Sequence, residues 1–289
     1  MSNLILMYHY VQNNSSMKCL KVDAFRKQVR YLKKKYKIMT LSELLRYEGK
    51  ERTCVLTFDD GLKDSITNIL PILEEEGIKG VFFIPAILMQ KRIVLNVQKR
   101  HLLLSKISTK KFVDEINQEL PLELKIKRTP IKDNDYLDDL LTANLKWTLD
   151  HLDYEIVNPI ITSIFKRYFK NEAKIAEKLY LSKADIKLMS SKGMEIGTHG
   201  FLHKPLGGLY YKDQEAEISK SVGILKKIIG GKPLYMSYPS GSYNPLTIKL
   251  LEKYKFAGAV TINKHLNKTP FNKFELGRYD CIDLKALIN

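Results

Sequence analysis

The stretch that decides the fold is Cys54-Val-Leu-Thr-Phe-Asp-Asp-Gly61. Its first five residues form an apolar run that predicts a buried strand, and this strand leads directly into two carboxylates and a glycine. The residues that follow have helical apolar spacing up to Gly77, and residues 80–85 predict a second buried strand. Continuous apolar strands joined through a helix are typical of parallel sheets covered on both faces, so the predicted fold class is α/β, open or barrel.

The alternation of strands and helices continues on both sides of this stretch. Residues 4–8 predict a first strand, and residues 22–36 predict an amphipathic helix with Asp23 as its N-cap. Between these flanks, residues 87–181 are rich in lysine, have helical apolar spacing and no clear strand pattern, and so predict a helical insertion. Further strands are predicted over 193–197, 234–239 and 257–261, and further helices over 184–192, 215–229 and 246–254.

The composition is that of a folded globular protein with a strong positive charge. Of the 289 residues, 44% are hydrophobic and 28% are charged, which excludes a disordered or collagen-like chain. Lysine and arginine exceed aspartate and glutamate by 48 to 32, giving a net charge of +16. This charge leaves nucleic acid, an anionic membrane surface and an acidic small substrate open as partners, beside a merely solvated lysine-rich surface.

The three cysteines and the N-terminal sequence bear on the compartment. Cys19, Cys54 and Cys281 are too few and too scattered for a disulfide framework. The first residues lack the apolar core of a secretory signal, and no run of about 18 apolar residues predicts a membrane span. We therefore expect a cytoplasmic protein without a transmembrane segment, and peripheral membrane contact stays open.

Asp59 and Asp60 form the first candidate functional group. Adjacent carboxylates at a strand end oppose each other's ionisation, and a metal cation would compensate them. Neighbouring side chains of an extended chain point to opposite sides, so a turn at Gly61 must bring both carboxylates to one pocket. The alternative is a simple strand-terminating turn.

His199 and His203 form the second candidate group, again directly after a short predicted strand. Two histidines four residues apart can share one metal ion if the backbone between them is helical. With one carboxylate they would leave coordination positions open for water and substrate. Two unrelated histidines are the alternative, but ligand sites in α/β sheets lie at the carboxyl ends of the strands, where both groups are predicted.

These motifs together resemble the polysaccharide deacetylases of carbohydrate esterase family 4. The resemblance rests on residues 57–61, the His199/His203 pair, Ser237-Tyr-Pro-Ser-Gly-Ser-Tyr243 and, for one branch of the family, Met7-Tyr-His-Tyr-Val11. It covers about residues 4–85 and 181–282. It implies an irregular (β/α) barrel, in a single NodB-homology deacetylase domain over residues 1–289 with the insertion at about 87–181.

The resemblance also implies roles for the metal and for the catalytic base. A divalent metal, usually zinc, would be held by Asp60, His199 and His203. Asp59 would be the general base that takes a proton from the attacking water. Arg278 would hold Asp59 ionised, because Ser237 stands where many members have the arginine that orients this base; a surface position for Arg278 is the alternative. Gly200 is a further departure, at a position where many members have serine or threonine.

Three more assignments concern the leaving group and the substrate. His9 is predicted to be the general acid, with His265 as its competitor and simple packing as the alternative. A backbone N–H of the loop 239–241 would stabilise the oxyanion, as the matching loop does in the family. Ser240, Gly241 and Tyr243 are the predicted substrate-binding residues.

The function implied is that of a metal-dependent N-deacetylase. It would remove acetyl from an amino sugar of a glycan or glycan precursor in surface polysaccharide biosynthesis. A nucleotide- or lipid-phosphate-linked substrate would suit the positive charge. The alternatives are a sugar-amide deformylase and a non-catalytic carbohydrate-binding protein on the same scaffold; nucleic acid is not an expected partner, because no known reading motif accompanies the charge.

Overall fold

A computed structural model describes residues 3–13, 19–127 and 139–284. The chain divides into two compact units, one of residues 1–91 and 177–289 and the other of residues 92–176. Among the described residues, no helix combines the length and the apolar character that a membrane span requires.

The first unit is built on a parallel sheet. The strands are β1 (Leu4–Tyr8), β2 (Lys37–Ile38), β3 (Thr53–Phe58), β4 (Val81–Ile84), β5 (Glu195–Thr198), β6 (Tyr235–Ser237), β7 (Gly258–Val260) and β8 (Tyr279–Asp280). Their order in the sheet is β7-β6-β5-β4-β3-β1-β8, with β2 paired to the first residues of β3. Every pair of these strands is parallel, as the continuous apolar runs predict.

The segment of residues 276–280 links the two edges of this sheet. Leu276 forms a parallel bridge with Val260 of the edge strand β7, and Tyr279, in the opposite edge strand β8, pairs with Leu6 of β1. So short a segment can reach both edges only if the sheet curls until its edge strands approach each other. The curled parallel sheet confirms the predicted α/β barrel class.

The helices of the first unit alternate with its strands along the chain. A π-helix, Ser65–Ile69, precedes α3 (Leu70–Glu75) and occupies the start of the helix predicted after Gly61. The α-helices of the described residues are α1 (Val22–Lys35), α2 (Leu41–Leu44), α3 (Leu70–Glu75), α4 (Asn96–Leu104), α5 (Thr109–Glu119), α6 (Leu140–His151), α7 (Tyr154–Tyr168), α8 (Glu172–Leu179), α9 (Lys183–Ser191), α10 (Tyr211–Ile229) and α11 (Pro245–Lys253).

The start of α1 corrects one prediction. Its N-cap is Lys21, which makes no side-chain capping bond, and Asp23 lies within the first turn instead of capping it. A carboxylate in the first turn still interacts favourably with the positive end of the helix dipole. The short elements β2, α2 and β8 were not predicted, because two to four residues carry too little periodicity to be recognised.

Stacked aromatic rings join the central strands of the first unit. The ring of Phe58 on β3 stacks on Tyr8 of β1 at 5.3 Å and on Phe82 of β4 at 4.6 Å between centroids. Phe25 of α1 meets Tyr8 edge to face at 5.2 Å. Truncating such a fully buried phenylalanine to alanine typically costs about 3–5 kcal/mol. This packing fixes the strand ends from which the functional side chains project.

The second unit is helical. Its described residues, 92–127 and 139–176, form helices and turns without a strand. The buried Lys99 of α4 donates to Thr162 of α7 at 2.9 Å and pairs with Glu172 at 3.1 Å. A buried ammonium group requires such partners, so this contact ties α4 to α7 and α8. Treating the whole chain as one domain with an insertion stays a prediction.

Candidate metal centre

The candidate site lies at the carboxyl ends of neighbouring strands of the first unit. Asp59 and Asp60 follow β3, His199 follows β5, and His9 follows β1. Ser237 is the last residue of β6. The parallel sheet therefore brings to one edge residues that are far apart in the sequence, as expected for ligand sites of α/β folds.

Asp60, His199 and His203 lie close enough to hold one metal ion. Their closest ligand atoms are 3.2 Å apart for the two Nε2 atoms, 3.4 Å for His203 Nε2 and Asp60 Oδ1, and 3.6 Å for His199 Nε2 and Asp60 Oδ1. Ligands at about 2.1 Å from a tetrahedral zinc ion would be about 3.4 Å apart. One carboxylate and two imidazoles at this spacing fit a divalent metal.

A hydrogen bond determines which nitrogen of His199 can serve as a ligand. Nδ1 lies 2.8 Å from the backbone oxygen of Ser237, and because a carbonyl can only accept, Nδ1 carries the proton. The Nε2 lone pair then points toward Asp60 and His203. Burial lowers the pKa of His199 to about 4 against the opposing effect of Asp59, so the imidazole is neutral at pH 7. Neutral imidazole is the form that binds metals.

The backbone around the three candidate ligands differs from the prediction in two ways. The turn after β3 begins at Asp60 itself, with φ of 70°, and continues through Gly61 at 63°. The chain between His199 and His203 bends without forming a helix, and His203 has φ of 59°. Left-handed conformations cost energy in non-glycine residues and concentrate at functional sites.

Asp59 is held by Arg278, and its Oδ2 also lies 3.9 Å from His199 Nε2. The guanidinium donates to both carboxylate oxygens, at 3.0 Å to Oδ1 and 2.8 Å to Oδ2. Both side chains are almost completely buried. Burial raises the pKa of Asp59, but Arg278 and His199 outweigh it and hold the pKa below the ordinary value. The contact expected between Arg278 and Asp59 is thus present, and the surface position considered for Arg278 is not.

Two hydroxyl groups complete the environment of Asp59. Ser237 Oγ donates to Asp59 Oδ2 at 3.1 Å and accepts from Arg278 at 2.9 Å. Thr57 Oγ1 accepts from the same guanidinium at 3.1 Å. Ser237, noted in the sequence as a departure from the family pattern, therefore contacts both members of the ion pair.

The two candidates for the general acid have different surroundings. His9 is half-buried and lies close enough to Asp59 and Asp60 to contribute to lowering the pKa of both carboxyls. His265 is exposed, and its ring packs against the backbone at Gly277. Of the two histidines, His9 is therefore the one placed beside Asp59 and Asp60.

Asp64 is a buried acid that sequence reasoning missed. Its Oδ2 accepts the backbone N–H of Val11 at 2.5 Å, in the loop that carries His9. Its Oδ1 has no hydrogen-bond partner among the residues that the structure describes, and burial raises the pKa of Asp64 to about 7. Asn68 donates to the backbone oxygen of Val11 at 2.8 Å. Residues 64–68 thus hold the loop after β1 by its backbone.

The loop after β6 narrows the choice of oxyanion donor. Pro239 has no N–H, and the N–H of Gly241 donates to Tyr238 O at 2.9 Å. Ser240, an exposed residue with φ of 53°, therefore has the one amide of residues 239–241 that remains for a substrate. The adjacent Pro239 lies against Gly200, which places this loop next to the histidine bend.

Tyr243 makes two contacts within the protein. Its hydroxyl donates to Glu275 at 2.7 Å, and its ring stacks on Tyr238 at 4.4 Å. Burial and Glu275 raise the pKa of Tyr243 to about 12. Substrate binding by Tyr243, Ser240 and Gly241 stays a prediction, as do the catalytic and ligand roles of the other site residues.

Comparisons with known proteins identify the family. The family model described as polysaccharide deacetylase matches residues 46–119 and 138–259, which leaves His9 and Arg278 outside the matched ranges. YxkH of Bacillus subtilis (strain 168), a protein described as a polysaccharide deacetylase, is 31% identical to this chain over 87 residues. That alignment spans 30% of this chain and 31% of YxkH, so it covers about a third of either protein.

Solved structures resemble nearly the whole chain. The Streptococcus pyogenes deacetylase PplD, in complex with acetate, has a TM-score of 0.63 and 16% identity over 97% of this chain and 92% of its own. IcaB from Ammonifex degensii has a TM-score of 0.64 and 17% identity over 99% and 95%. At this identity the likeness concerns the fold, and it agrees with the barrel described above. The family match, which covers more than half of the chain, shows that the chain belongs to the polysaccharide deacetylase family.

Proposed function

We propose that this protein is a metal-dependent N-deacetylase that removes acetyl from an N-acetylated amino sugar of a glycan or glycan precursor. The observation that carries the proposal is that two adjacent carboxylates, Asp59 and Asp60, have different partners. Asp60 faces two histidines at ligand spacing, whereas Asp59 is held by a buried arginine. A protein that only binds carbohydrate needs neither a ligand triad nor a separately ionised base.

The metal proposed is zinc. One carboxylate and two imidazoles are donors that zinc favours, and they leave positions free for water and substrate. When bound, a divalent ion would act as a Lewis acid on the acetyl oxygen and lower the pKa of water.

The residues of the chain supply the proton transfers. Asp59 accepts a proton from the attacking water, whose oxygen forms a bond to the acetyl carbon. The Ser240 N–H donates to the oxygen that gains negative charge. His9 then protonates the amine nitrogen as the C–N bond breaks, giving acetate and a free amino sugar. Arg278 keeps Asp59 ionised and aligned until Asp59 accepts the proton of the attacking water.

The carrier of the amino sugar is proposed from charge. A net charge of +16 favours association with anionic molecules, so a substrate linked to a nucleotide or a lipid phosphate would be steered to the protein. Such precursors belong to surface polysaccharide biosynthesis. A glycan oligomer without phosphate is the comparison that tests this part of the proposal.

We also propose that the protein works in the cytoplasm. All three cysteines are free, and two of them, Cys54 and Cys281, are buried. Free thiols suit a reducing compartment. Fractionation of the cells that produce the protein, followed by detection with an antibody, tests this assignment.

The decisive experiment measures metal content and acyl release in parallel. Wild-type protein would be stripped with a chelator, reloaded with zinc and incubated with N-acetylglucosamine oligomers and with a nucleotide-linked N-acetylated sugar. We expect acetate release only after zinc is restored. Asp59→Asn should retain zinc and lose at least about 10²-fold in kcat, whereas His199→Ala should lose zinc. Asp213→Asn, an exposed position on α10, is the matched control.

Three outcomes would overturn the proposal in different ways. Formate release from an N-formyl sugar without acetate release would indicate a deformylase. Carbohydrate binding without hydrolysis would indicate a non-catalytic protein. Failure to bind zinc or another divalent metal after reconstitution would remove the mechanism altogether.

A further inference from the structure

The bend that carries His199 and His203 is held by side chains of α10. Glu217 Oε2 accepts the N–H groups of Phe201 and Leu202, at 3.0 Å and 2.8 Å. Glu217 is 4% exposed, and burial raises the pKa of its carboxyl. A buried carboxyl group is costly unless it is hydrogen-bonded, and here the backbone of the bend provides those bonds.

Ser221 extends this contact one helical turn farther along α10. Its hydroxyl is hydrogen-bonded to the hydroxyl of Thr198, and Thr198 Oγ1 accepts the N–H of Gly200 at 3.2 Å. Residues four apart lie on the same face of a helix, so Glu217 and Ser221 reach the bend together. The three consecutive N–H groups of residues 200–202 are therefore all bound by side-chain oxygens.

The carbonyl groups of the bend are bound from another side. The N–H of Ala86 donates to Gly200 O and the N–H of Ile87 donates to Phe201 O, both at 3.0 Å. The bend between the two histidines is thus fixed through its backbone, although it belongs to no helix or strand. This explains how His203 can be held at φ of 59°.

Gly200, which directly follows His199, also suits the position of Glu217. Gly200 has φ of 75°, and a Cβ atom there would lie 3.2 Å from Glu217 Oε2. A serine or threonine at position 200, as in many family members, would crowd the carboxylate. Glycine at position 200 therefore leaves room for the buried carboxylate of Glu217.

We propose that Glu217 is a positioning residue that sets the spacing of His199 and His203 for metal binding, by holding the backbone of the bend between them. This inference rests on the proposed metal site and adds a residue that does not itself contact the metal. Partners that orient metal ligands typically change affinity by about 10–100-fold when they are removed.

Zinc affinity of the metal-free protein, measured by competition with a chromogenic chelator, tests this role. Glu217→Ala should weaken zinc binding by about 10–100-fold. Both amides bind the same oxygen of Glu217, so the single carbonyl oxygen of glutamine can replace it, and Glu217→Gln should keep affinity within about threefold. Glu217→Asp retains the charge but shortens the side chain by one methylene, and should behave like Glu217→Ala.

The control and the thermal melts separate positioning from a general loss of stability. Glu215→Ala removes a partly exposed glutamate of the same helix, which pairs with Lys253 at 2.6 Å, and should leave zinc affinity unchanged. Melting of each metal-free variant, followed by circular dichroism, gives the folded fraction to which affinity is normalised. If Glu217→Ala and Glu217→Asp melt lower but bind zinc as the wild type does, the positioning role is wrong.

The remaining outcomes are also decisive. If Glu217→Ala does not fold, the comparison between Glu217→Gln and Glu217→Asp replaces it. Equal zinc affinity in those two variants would overturn the proposal. If the wild type itself binds no divalent metal, the proposed function fails and this inference fails with it, whereas metal-binding wild type with unaffected variants removes the inference alone.

Discussion

Arg278 and Asp59 lie 219 residues apart in the sequence, and the guanidinium of Arg278 donates to both oxygens of the Asp59 carboxylate. The arginine belongs to the segment that links the two edge strands of the sheet, because Leu276 bridges to β7 and Tyr279 lies in β8. Curling of the sheet therefore brings the cation to the carboxylate proposed as the general base. Residues 276–280 therefore both link the edges of the curled sheet and supply the arginine that keeps the proposed base ionised.

Removing this arginine should destabilise the fold strongly. Arg278→Ala would leave a buried carboxylate without its cation, and breaking a buried pair in this way typically costs about 3–5 kcal/mol. Urea denaturation of the metal-free protein measures the free energy of unfolding. Adding Asp59→Asn to the same chain should recover part of the loss, because a neutral amide needs no cation.

Arg30→Ala provides the control for this measurement. Arg30 is an exposed arginine of α1 that pairs with Glu75 and Glu76, and exposed pairs contribute little to stability. Its loss should barely change the urea midpoint. Equal destabilisation by the two arginine variants would show that burial of the Arg278 pair has no special weight.

The sequence predicted where the candidate metal ligands lie, because apolar runs mark the strands and these residues come directly after them. Asp60 and His199 each follow an apolar run, and parallel strands bring their carboxyl ends to one edge. The contact between Arg278 and Asp59 could be expected only from the family resemblance. No local pattern indicates that a residue so late in the chain returns to β3.

Glu217 and Asp64 were missed for a different physical reason. Each is an acid in or beside a helix, where sequence patterns predict a solvated side chain. Their roles depend on which backbone amides of another element they meet, at Phe201 and at Val11. Tertiary packing decides which amides these acids meet, and helical spacing in the sequence carries no information about that packing. The strained turn at Asp60 is likewise set by its surroundings.

His9 and His265 can be separated by the leaving group of the substrate. His9→Ala should lower kcat for an N-acetylated sugar by about 10²–10⁴-fold, the range for loss of a general acid. An aryl acetate ester releases a phenolate that needs no proton, so its hydrolysis should be nearly unchanged. Rates on the two substrates, measured with zinc-loaded protein, give the comparison.

His265→Ala is the matched control, because this exposed histidine lies beside Gly277 and not beside the carboxylates. It should leave both rates unchanged. An equal loss on amide and ester in His9→Ala would contradict the role of a general acid and indicate a structural effect on the site.

Gly241 should be intolerant of a side chain. Its φ of 66° is unfavourable for alanine, and an added Cβ would lie 2.4 Å from Cγ1 of Ile262. The resulting shift would move the neighbouring Ser240 amide, and loss of an oxyanion donor typically costs about 10²–10³-fold in rate. Steady-state kinetics should show a lower kcat for Gly241→Ala with zinc content retained.

Gly208→Ala is the control for this substitution, because an added Cβ at that glycine would meet no atom of the described residues within 4 Å, apart from its neighbours in the chain. It should preserve kcat. If Gly241→Ala keeps the wild-type kcat while the protein remains folded, the oxyanion role of the loop after β6 is wrong.

Asp64 should make stability fall as the pH rises from about 4 to about 7. In the unfolded chain its carboxyl ionises near the ordinary pKa of 3.8, but burial raises the folded pKa to about 7. Between these values the folded state keeps a proton that the unfolded state has released, so each increase in pH favours unfolding. The stability present below the unfolded pKa is therefore lost by the time the pH exceeds the folded pKa.

The variant Asp64→Asn isolates this effect from other titrating groups. Asparagine still offers an oxygen to the N–H of Val11 but does not ionise, so the variant should gain stability relative to wild type as the pH rises through this window. Asp59 and Asp60, whose pKa values are lowered, contribute with the opposite sign in both proteins and cancel in the difference. Urea denaturation at pH 4 and pH 8 gives that difference directly. A difference that stays constant with pH would mean that Asp64 ionises normally and that its unpartnered oxygen reaches water.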